Sequence, residues 1–181
     1  MQRFRLYSSA DLDAVLRSMA RQLVAMVDPR EPIVLVGVLR RGAPLADRLL
    51  TLARGLQPAL QVERLDLKVK RYGDDLTLLH PETRLDRPEA APDLQDRHVV
   101  VIDDVLYHGH SLFKVLEFLK AGGAASVRAG VLVDRQVSRY PIHADIVGLK
   151  LEVAPGDVVE CNVPPYEAEW AIDLCRPEVQ A

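Results

Sequence analysis

Two adjacent carboxylates and a nearby glycine are the first residues in the chain whose types and spacing could do chemistry. Asp103 and Asp104 follow the apolar run HVVVI at residues 98–102 and precede the stretch VLYHGHS. Carboxylates beside a buried strand are costly unless they are paired, hydrated or bound to a metal. The pair therefore predicts a site for a polyhydroxyl or metal-bound ligand.

Gly109 predicts a phosphate site beside the two aspartates. A glycine lets the backbone approach a ligand closely, and the N-terminus of the helix expected next presents free N–H groups and a positive dipole end to an anion. The spacing alone leaves a second interpretation open. The same residues suit an ordinary strand-to-helix turn in which the aspartates serve as caps.

A pair of arginines follows another apolar run. Arg40 and Arg41 come after IVLVGV at residues 33–38 and directly before Gly42. Adjacent arginines at the end of a strand are commonly a solvated surface pair. If both runs are parallel strands of one sheet, the arginines share its edge with the aspartates, where guanidinium groups suit phosphate recognition.

The elements around these residues repeat one unit of strand, loop and helix. Each of the two apolar runs is followed by a loop and then by apolar residues at helical spacing, and a third run covers residues 127–133. This alternation predicts an α/β fold, an open and mostly parallel sheet with helices on both faces. Ligands of such sheets bind beyond the carboxyl ends of the strands. The helical positions are Leu45, Leu49 and Leu52 in the first unit, and Leu112, Val115, Leu116 and Leu119 in the second.

A long polar segment separates the two units. Residues 70–97 are charged, interrupted by prolines and poor in periodicity, which predicts either a mobile loop over the site or a hairpin extension with no role. No internal repeat or linker divides the chain, so a single domain over 1–181 is expected. The other predicted elements are a helix that starts with a capping box of Ser8 and Asp11 and ends near Asp28, and strands around 65–69, 157–163 and 170–174.

Composition excludes several classes of protein. The chain has 181 residues, of which 49% are apolar and 27% charged, as in globular proteins. No run approaches the ~20 apolar residues of a transmembrane helix, and the N-terminus lacks a signal-peptide core, so a cytoplasmic location and no membrane partner are expected. The net charge of −3 argues against nucleic-acid binding by bulk charge. Cys161 and Cys175 fit neither a redox pair nor a zinc site, which indicates reduced thiols.

The stretch VVVIDDVLYHGHS resembles the signature of type I phosphoribosyltransferases that binds 5-phosphoribosyl-1-pyrophosphate (PRPP). The resemblance implies the type I phosphoribosyltransferase fold, with a long flexible loop and a small C-terminal base-side region, the hood. It implies that Asp103 and Asp104 hold the ribose hydroxyls, directly or through Mg²⁺ as cofactor, and that residues 107–111 cradle the 5-phosphate. The implied PRPP-binding residues are Asp103, Asp104, Val105, Leu106, Tyr107, His108, Gly109, His110 and Ser111.

Three more segments narrow the resemblance to the PyrR-type regulators of pyrimidine-operon attenuation, which also act as uracil phosphoribosyltransferases. IVLVGVLRRGAPLADRL is similar to their pyrophosphate-binding loop, RYGDDLTLL to their flexible loop and VLVDRQVSRYPIHADIVG to their base-side segment. The resemblance implies that Arg40, Arg41 and Gly42 bind pyrophosphate and that Asp103, Asp104 and Arg41 are the catalytic residues. It further implies that a loop with Arg71, Asp74 and Asp75 closes over PRPP; the alternative for these three residues is a solvated loop. It also implies that Asp134 and Arg135 lie beside the nucleobase; the alternative for these two is a structural turn.

The phosphate loop departs from the family pattern. The family has Thr-Gly, then Arg or Lys, then Thr, where this chain has His108, Gly109, His110 and Ser111. A histidine binds phosphate more strongly when protonated. We therefore expect PRPP to bind more tightly at about pH 6 than at about pH 8, and the trend to flatten in His108→Thr.

Two functions are predicted, with a third kept as a weaker alternative. The first is an enzyme, a pentosyltransferase that transfers phosphoribose from PRPP to a nucleobase, most simply uracil. The second is an RNA-binding attenuation regulator that senses PRPP or nucleotides, although the segment Arg135–His143 carries fewer cations than the regulators have there. An unrelated nucleotide-binding protein would leave the Arg40–Gly42 loop unexplained. Family resemblance also implies association as a dimer or tetramer.

Overall fold

The computed structural model describes residues 1–69 and 91–177. Two sheets and three helices make up this part of the chain. Their order along the sequence is β1 (Gln2–Tyr7), α1 (Ser9–Met26), β2 (Ile33–Leu39), α2 (Gly42–Leu56), β3 (Val62–Lys68), β4 (His98–Leu106), α3 (His110–Ala121), β5 (Ser126–Asp134), β6 (Ile146–Lys150), β7 (Val158–Asn162) and β8 (Ala171–Arg176).

The larger sheet has five parallel strands in the order β3, β2, β4, β5, β6. The central strands are apolar because both of their faces are covered, as expected for a parallel sheet. All but the last residue of β2 is buried. The predicted α/β architecture is confirmed, and it places the ends of β2 and β4 side by side at one edge.

Helices cover both faces of this sheet. Buried residues of α1 and α2 pack with Val100 and Ile102 on one face. Buried residues of α3 pack with Val99 and Val101 on the other face. Side chains of β4 therefore alternate between the two cores. The two helices that follow strands of this sheet, α2 and α3, begin at the same edge.

The hood is a three-stranded antiparallel sheet in the order β1, β8, β7. The sequence predicted its two C-terminal strands but not β1, whose residues QRFRLY are mostly exposed and alternate Phe4 and Leu6 with arginines over a short run only. The two arginines of β1 bind the carboxylate of Asp173 in β8, which is 2% exposed. The hood is thus not purely C-terminal, because backbone pairing with β8 and these ion pairs attach the N-terminal strand to it.

Two boundaries refine the sequence predictions. Helix α1 begins with the expected capping box, in which Ser8 and Asp11 bond to each other, and it ends at Met26. Strand β4 does not end before the aspartates as predicted, because its pairing with β5 continues as far as Leu106 and Asp134. The two acids therefore lie within the strand. None of the helices in residues 1–69 and 91–177 is long and apolar enough to cross a membrane.

Candidate active site

A cleft of about 1080 Å³ opens at the carboxyl end of β4. One wall is the connection from β4 into α3, and the opposite wall is the hood strand β7 with the residues before it. Parallel strands direct their carboxyl ends to one edge, so residues distant in sequence meet there. The predicted acids and one predicted arginine all line this cleft, namely Asp103, Asp104 and Arg41.

Asp103 and Asp104 are almost completely buried, at 3% and 4% exposure. Asp103 accepts a hydrogen bond from the backbone N–H of Asp104 at 2.9 Å. Among the described residues no group of three or more metal-ligating side chains is assembled. A substrate-bound Mg²⁺ needs only one or two protein carboxylates, since phosphates and water supply its other ligands. The aspartate pair fits that requirement.

Gly42 brings the arginine loop to the acids. A β-carbon on Gly42 would overlap the carbonyl oxygen of Ile102 and lie 3.1 Å from the Cα of Asp103. The absence of a side chain therefore lets the start of α2 pack directly on β4. As a result, Arg41 lies near Asp104, whose charge helps to raise the pKa of Arg41 after the larger contribution of a hydrogen bond to Glu167.

Arg40 takes a different position from Arg41. Its guanidinium lies 4.9 Å from the centre of the Tyr166 ring, and Arg40 is not among the residues that line the cleft. The peptide bond between Leu39 and Arg40 is cis. Of the two predicted arginines, the structure brings only Arg41 to the aspartates.

The predicted phosphate loop connects β4 to α3. Gly109 is the N-cap of α3 and has a φ of 86°, a conformation that favours glycine. A β-carbon there would also lie 2.9 Å from the hydroxyl of Ser138. All five predicted residues, Tyr107 to Ser111, line the cleft around the N-terminus of α3.

Aromatic rings surround this loop. Tyr107 stacks on His108 with ring centres 3.8 Å apart, and His110 meets Tyr140 edge to face at 5.0 Å. Tyr140 in turn stacks on Phe113 at 5.1 Å. The two histidines that replace the family's small and cationic residues are thus packed among rings, which restricts where a phosphate can approach them.

The sequence profile of the phosphoribosyl transferase domain matches residues 5–169. The chain belongs to the phosphoribosyltransferase family. Among its relatives, the bifunctional protein PyrR of Deinococcus radiodurans is 31% identical over 172 residues, which cover 94% of this chain and 93% of the relative. The bifunctional protein PyrR of Nostoc punctiforme is 33% identical over 169 residues, covering 92% and 93%. The predicted resemblance is confirmed.

Solved structures support the type I phosphoribosyltransferase fold. A structure of hypoxanthine phosphoribosyltransferase from Trypanosoma cruzi matches with a TM-score of 0.77, covering 97% of this chain and 92% of that one. The sequence identity is 20%. At this identity the match shows a shared fold and carries no information about the substrate of this phosphoribosyltransferase.

His108 of this phosphoribosyltransferase has a lowered pKa. Burial is the largest cause, followed by the positive charge of Arg139 and then by His110 and Arg135. The loop carbonyl of His108 also accepts a hydrogen bond from the backbone of Arg139 at 3.0 Å. These effects favour the neutral form of the imidazole.

The two predicted base-side residues of the phosphoribosyltransferase diverge. Arg135 lines the cleft at 4% exposure, its guanidinium 5.0 Å from the centre of the Tyr107 ring, and burial lowers its pKa. Asp134 accepts a hydrogen bond from the backbone N–H of Gln136 at 2.7 Å and does not line the cleft. Arg135 thus faces the cleft, whereas the carboxylate of Asp134 bonds within a turn, and contact of these residues with a nucleobase stays a prediction.

Sequence reasoning missed the hood side of the cleft. Cys161 lies there at 1% exposure, its thiol 3.9 Å from the carbonyl oxygen of Asp104. Burial, and then the charge of Asp104, raise the pKa of Cys161 well above its ordinary value, so the thiol stays protonated. The run DVVECNV predicted a strand, but no local signal says which face of that strand meets the aspartates.

The three residues predicted in the flexible loop, Arg71, Asp74 and Asp75, lie outside the described residues.

Proposed function

We propose that this protein transfers the phosphoribosyl group of PRPP to a nucleobase, with uracil as the acceptor and UMP and pyrophosphate as products. One observation carries the proposal: Asp103, Asp104 and Arg41 line the same cleft although the arginine is far from the acids in sequence. Opposite charges held together at the end of a parallel sheet suit a ligand that carries both a sugar and a polyanion.

The charges fit the reaction. Displacement of pyrophosphate from the ribose C1 develops positive charge on the sugar and negative charge on the leaving group, and fixed charges of the opposite sign stabilise both. The carboxylates of Asp103 and Asp104 would face the ribose hydroxyls and the developing positive charge. The guanidinium of Arg41 would receive the leaving pyrophosphate.

Mg²⁺ would be held through Asp103 and Asp104 together with the ligand. When bound, it would neutralise the pyrophosphate and ease its departure. The chain itself supplies the N-terminus of α3 for the 5-phosphate, because the first N–H groups of a helix lack intrahelical acceptors. Gly109 permits that approach, since it adds no side chain at the N-cap.

The base would lie beside Tyr107 and Arg135, whose side chains already contact each other. Tyr107 is 41% exposed and offers an aromatic surface to a flat ring, and Arg135 has a buried Nε with no hydrogen-bond partner. A buried donor of this kind favours a ligand with carbonyl oxygens. Uracil has two, and the resemblance to the PyrR type supports the same acceptor.

The deciding experiment measures pyrophosphate release. Purified protein is incubated with Mg²⁺, PRPP and one base. Separate reactions contain uracil, cytosine, hypoxanthine, guanine or adenine. We expect release with uracil, its loss in Asp104→Asn, and no change in Asp96→Asn, which alters an exposed turn at the opposite end of β4. Release with a purine alone would contradict the acceptor, and no release with any base would contradict the activity.

A second function is supported by the relatives named bifunctional protein PyrR. Under this proposal the chain also binds messenger RNA as an attenuation regulator. Binding of an RNA hairpin should then weaken steeply as salt rises, because phosphate contacts release counterions. The absence of such binding at low salt would leave the transferase activity as the only function.

A further inference from the structure

A turn of the hood holds the arginine that faces the cleft. One edge of the Arg41 guanidinium binds the Glu167 carboxylate: Nε lies 3.2 Å and Nη2 2.5 Å from Oε1, and Nε lies 3.3 Å from Oε2. The two side chains are 29% and 24% exposed. The contact is thus a partly buried, charge-assisted pair rather than a solvated one.

The carboxylate of Glu167 is itself fixed from the other side. Its Oε2 accepts a hydrogen bond from the backbone N–H of Val163 at 2.8 Å, and the backbone N–H of Glu167 bonds back to the carbonyl of Val163 at 3.4 Å. The hydrogen bond from Arg41 is the largest of the effects that lower the pKa of Glu167, so this carboxylate is ionised at neutral pH. The turn from Val163 to Glu167 therefore presents a fixed negative charge to Arg41.

The neighbouring residue of the same turn holds the neighbouring arginine. Tyr166 lies beneath the guanidinium of Arg40, and Glu167 holds that of Arg41. Two consecutive hood residues therefore contact the two arginines that precede α2. A movement of this one turn would change the position of both cations.

A guanidinium binds an oxyanion best through two parallel N–H groups. The Nε and Nη2 edge of Arg41 is one such pair, and Glu167 occupies it. A phosphate oxygen that binds this edge has to displace the carboxylate of Glu167 from the two N–H donors. The negative charge of the carboxylate also repels the phosphate.

We propose that Glu167 is an internal counter-anion that weakens the hold of Arg41 on pyrophosphate, and that the Val163–Glu167 turn has to release the guanidinium before the leaving group is bound fully. The inference rests on the proposed function, in which Arg41 binds pyrophosphate. It assigns to the hood a control over affinity at the leaving-group site, in addition to any contact with the base.

The sign of the effect separates this role from a structural one. If the pair only supported the fold, its removal would weaken ligand binding or leave it unchanged. If Glu167 competes with the ligand, its removal strengthens binding. Glu169 provides a matched control, because it lies two residues away and also pairs with an arginine, Arg5, but on the exposed side of the hood.

The test measures the affinity of inorganic pyrophosphate by calorimetry in the presence of Mg²⁺. In Glu167→Gln we expect about fivefold tighter binding, the scale of one partly exposed ion pair. Glu167→Asp, which withdraws the carboxylate but keeps its charge, should give a smaller gain. Glu169→Gln should match the unaltered protein. In an Arg41→Gln background the gain from Glu167→Gln should disappear.

Thermal melting shows whether each variant folds. If Glu167→Gln does not fold, the pyrophosphate affinity of Glu167→Asp provides the test. Equal or weaker pyrophosphate binding in folded Glu167 variants would overturn the inference and leave the proposed function standing. Failure of the unaltered protein to bind either pyrophosphate or PRPP would instead overturn the proposed function, and this inference with it.

Discussion

Gly42 and Ile102 lie so close together that a β-carbon on Gly42 would overlap the carbonyl oxygen of Ile102. The contact joins the first residue of α2 to the strand that carries the aspartates. Arg41 precedes Gly42, and Asp103 follows Ile102, so one backbone contact sets the spacing between the opposite charges of the cleft. This spacing is the basis of the predictions that follow.

Gly42→Ala should lower both stability and ligand affinity. The added methyl group forces the start of α2 away from β4, and overpacking of this kind costs about 1 to 3 kcal/mol in the free energy of unfolding. Gly55→Ala in the same helix is the control: nothing lies within 4 Å of its added carbon, so it should raise stability by about 0.5 to 1 kcal/mol. Denaturant unfolding and PRPP titration measure both effects. Unchanged PRPP affinity in Gly42→Ala would contradict the role given to this contact.

The two arginines should differ in their importance. Arg41→Gln would remove the charge-assisted hydrogen bonds that we propose for pyrophosphate and should raise the KM for PRPP about tenfold or more. Arg40→Gln removes an exposed contact with Tyr166 and should change the KM by less than about threefold. Steady-state kinetics of both variants test this ranking. A larger effect at Arg40 would show that the arginine loop rearranges when the ligand binds.

PRPP affinity should depend on pH through His108. The protonated imidazole binds phosphate more strongly, so affinity rises as pH falls through the pKa of this residue. Burial and the charge of Arg139 lower the pKa of His108. We therefore expect the rise in PRPP affinity to occur at a pH below about 6.5, the ordinary pKa of histidine. Calorimetry of the unaltered protein, His108→Thr and the remote His98→Thr separates this effect from ionisation of PRPP itself. The same pH dependence in all three proteins would remove His108 from the account.

Asp173→Asn should loosen the hood. The buried carboxylate binds Arg3 and Arg5, and its loss should lower the free energy of unfolding by about 1 to 2 kcal/mol. Burial raises the pKa of Asp173, but hydrogen bonds from Arg5 and Asn162 outweigh this and leave the pKa lowered. The stabilisation is then present above about pH 4 and lost as pH falls through the lowered pKa.

Thermal melting of Asp173→Asn against pH tests this linkage. The difference in melting temperature from the unaltered protein should be largest near neutral pH and should shrink in acid. Glu169→Gln, which removes only an exposed partner of Arg5, should cause a much smaller loss. An equal loss in the two variants would contradict the special role of the buried carboxylate.

Much of the site was predictable because its residues follow apolar runs. Residues 33–38 and 99–102, which precede the arginines and the aspartates, are buried, and parallel strands end at a common edge, so the sequence predicted that Arg41 and Asp103 would lie close together. Strand β1 of the hood was not predicted. Its Phe4 and Leu6 alternate with arginines only over a short and mostly exposed run, and what holds it in place is pairing with β8 and ion pairs with Asp173.

Contacts across the cleft were also beyond sequence reasoning. Glu167 reaches Arg41 over a separation of 126 residues, and an isolated acid in a loop carries no local mark of its partner. For Asp134 the resemblance implied a place beside the nucleobase, with a structural turn as the alternative, and its carboxylate accepts a hydrogen bond from the backbone of Gln136.

Titration of PRPP into the protein, with and without Mg²⁺, tests the central claim most directly. The claim is that Asp103, Asp104 and Arg41 form one binding site. We expect binding that requires Mg²⁺, weakens about tenfold or more in both Asp104→Asn and Arg41→Gln, and persists in Asp96→Asn. PRPP binding that is absent, or that is equally strong in all these variants, would contradict it.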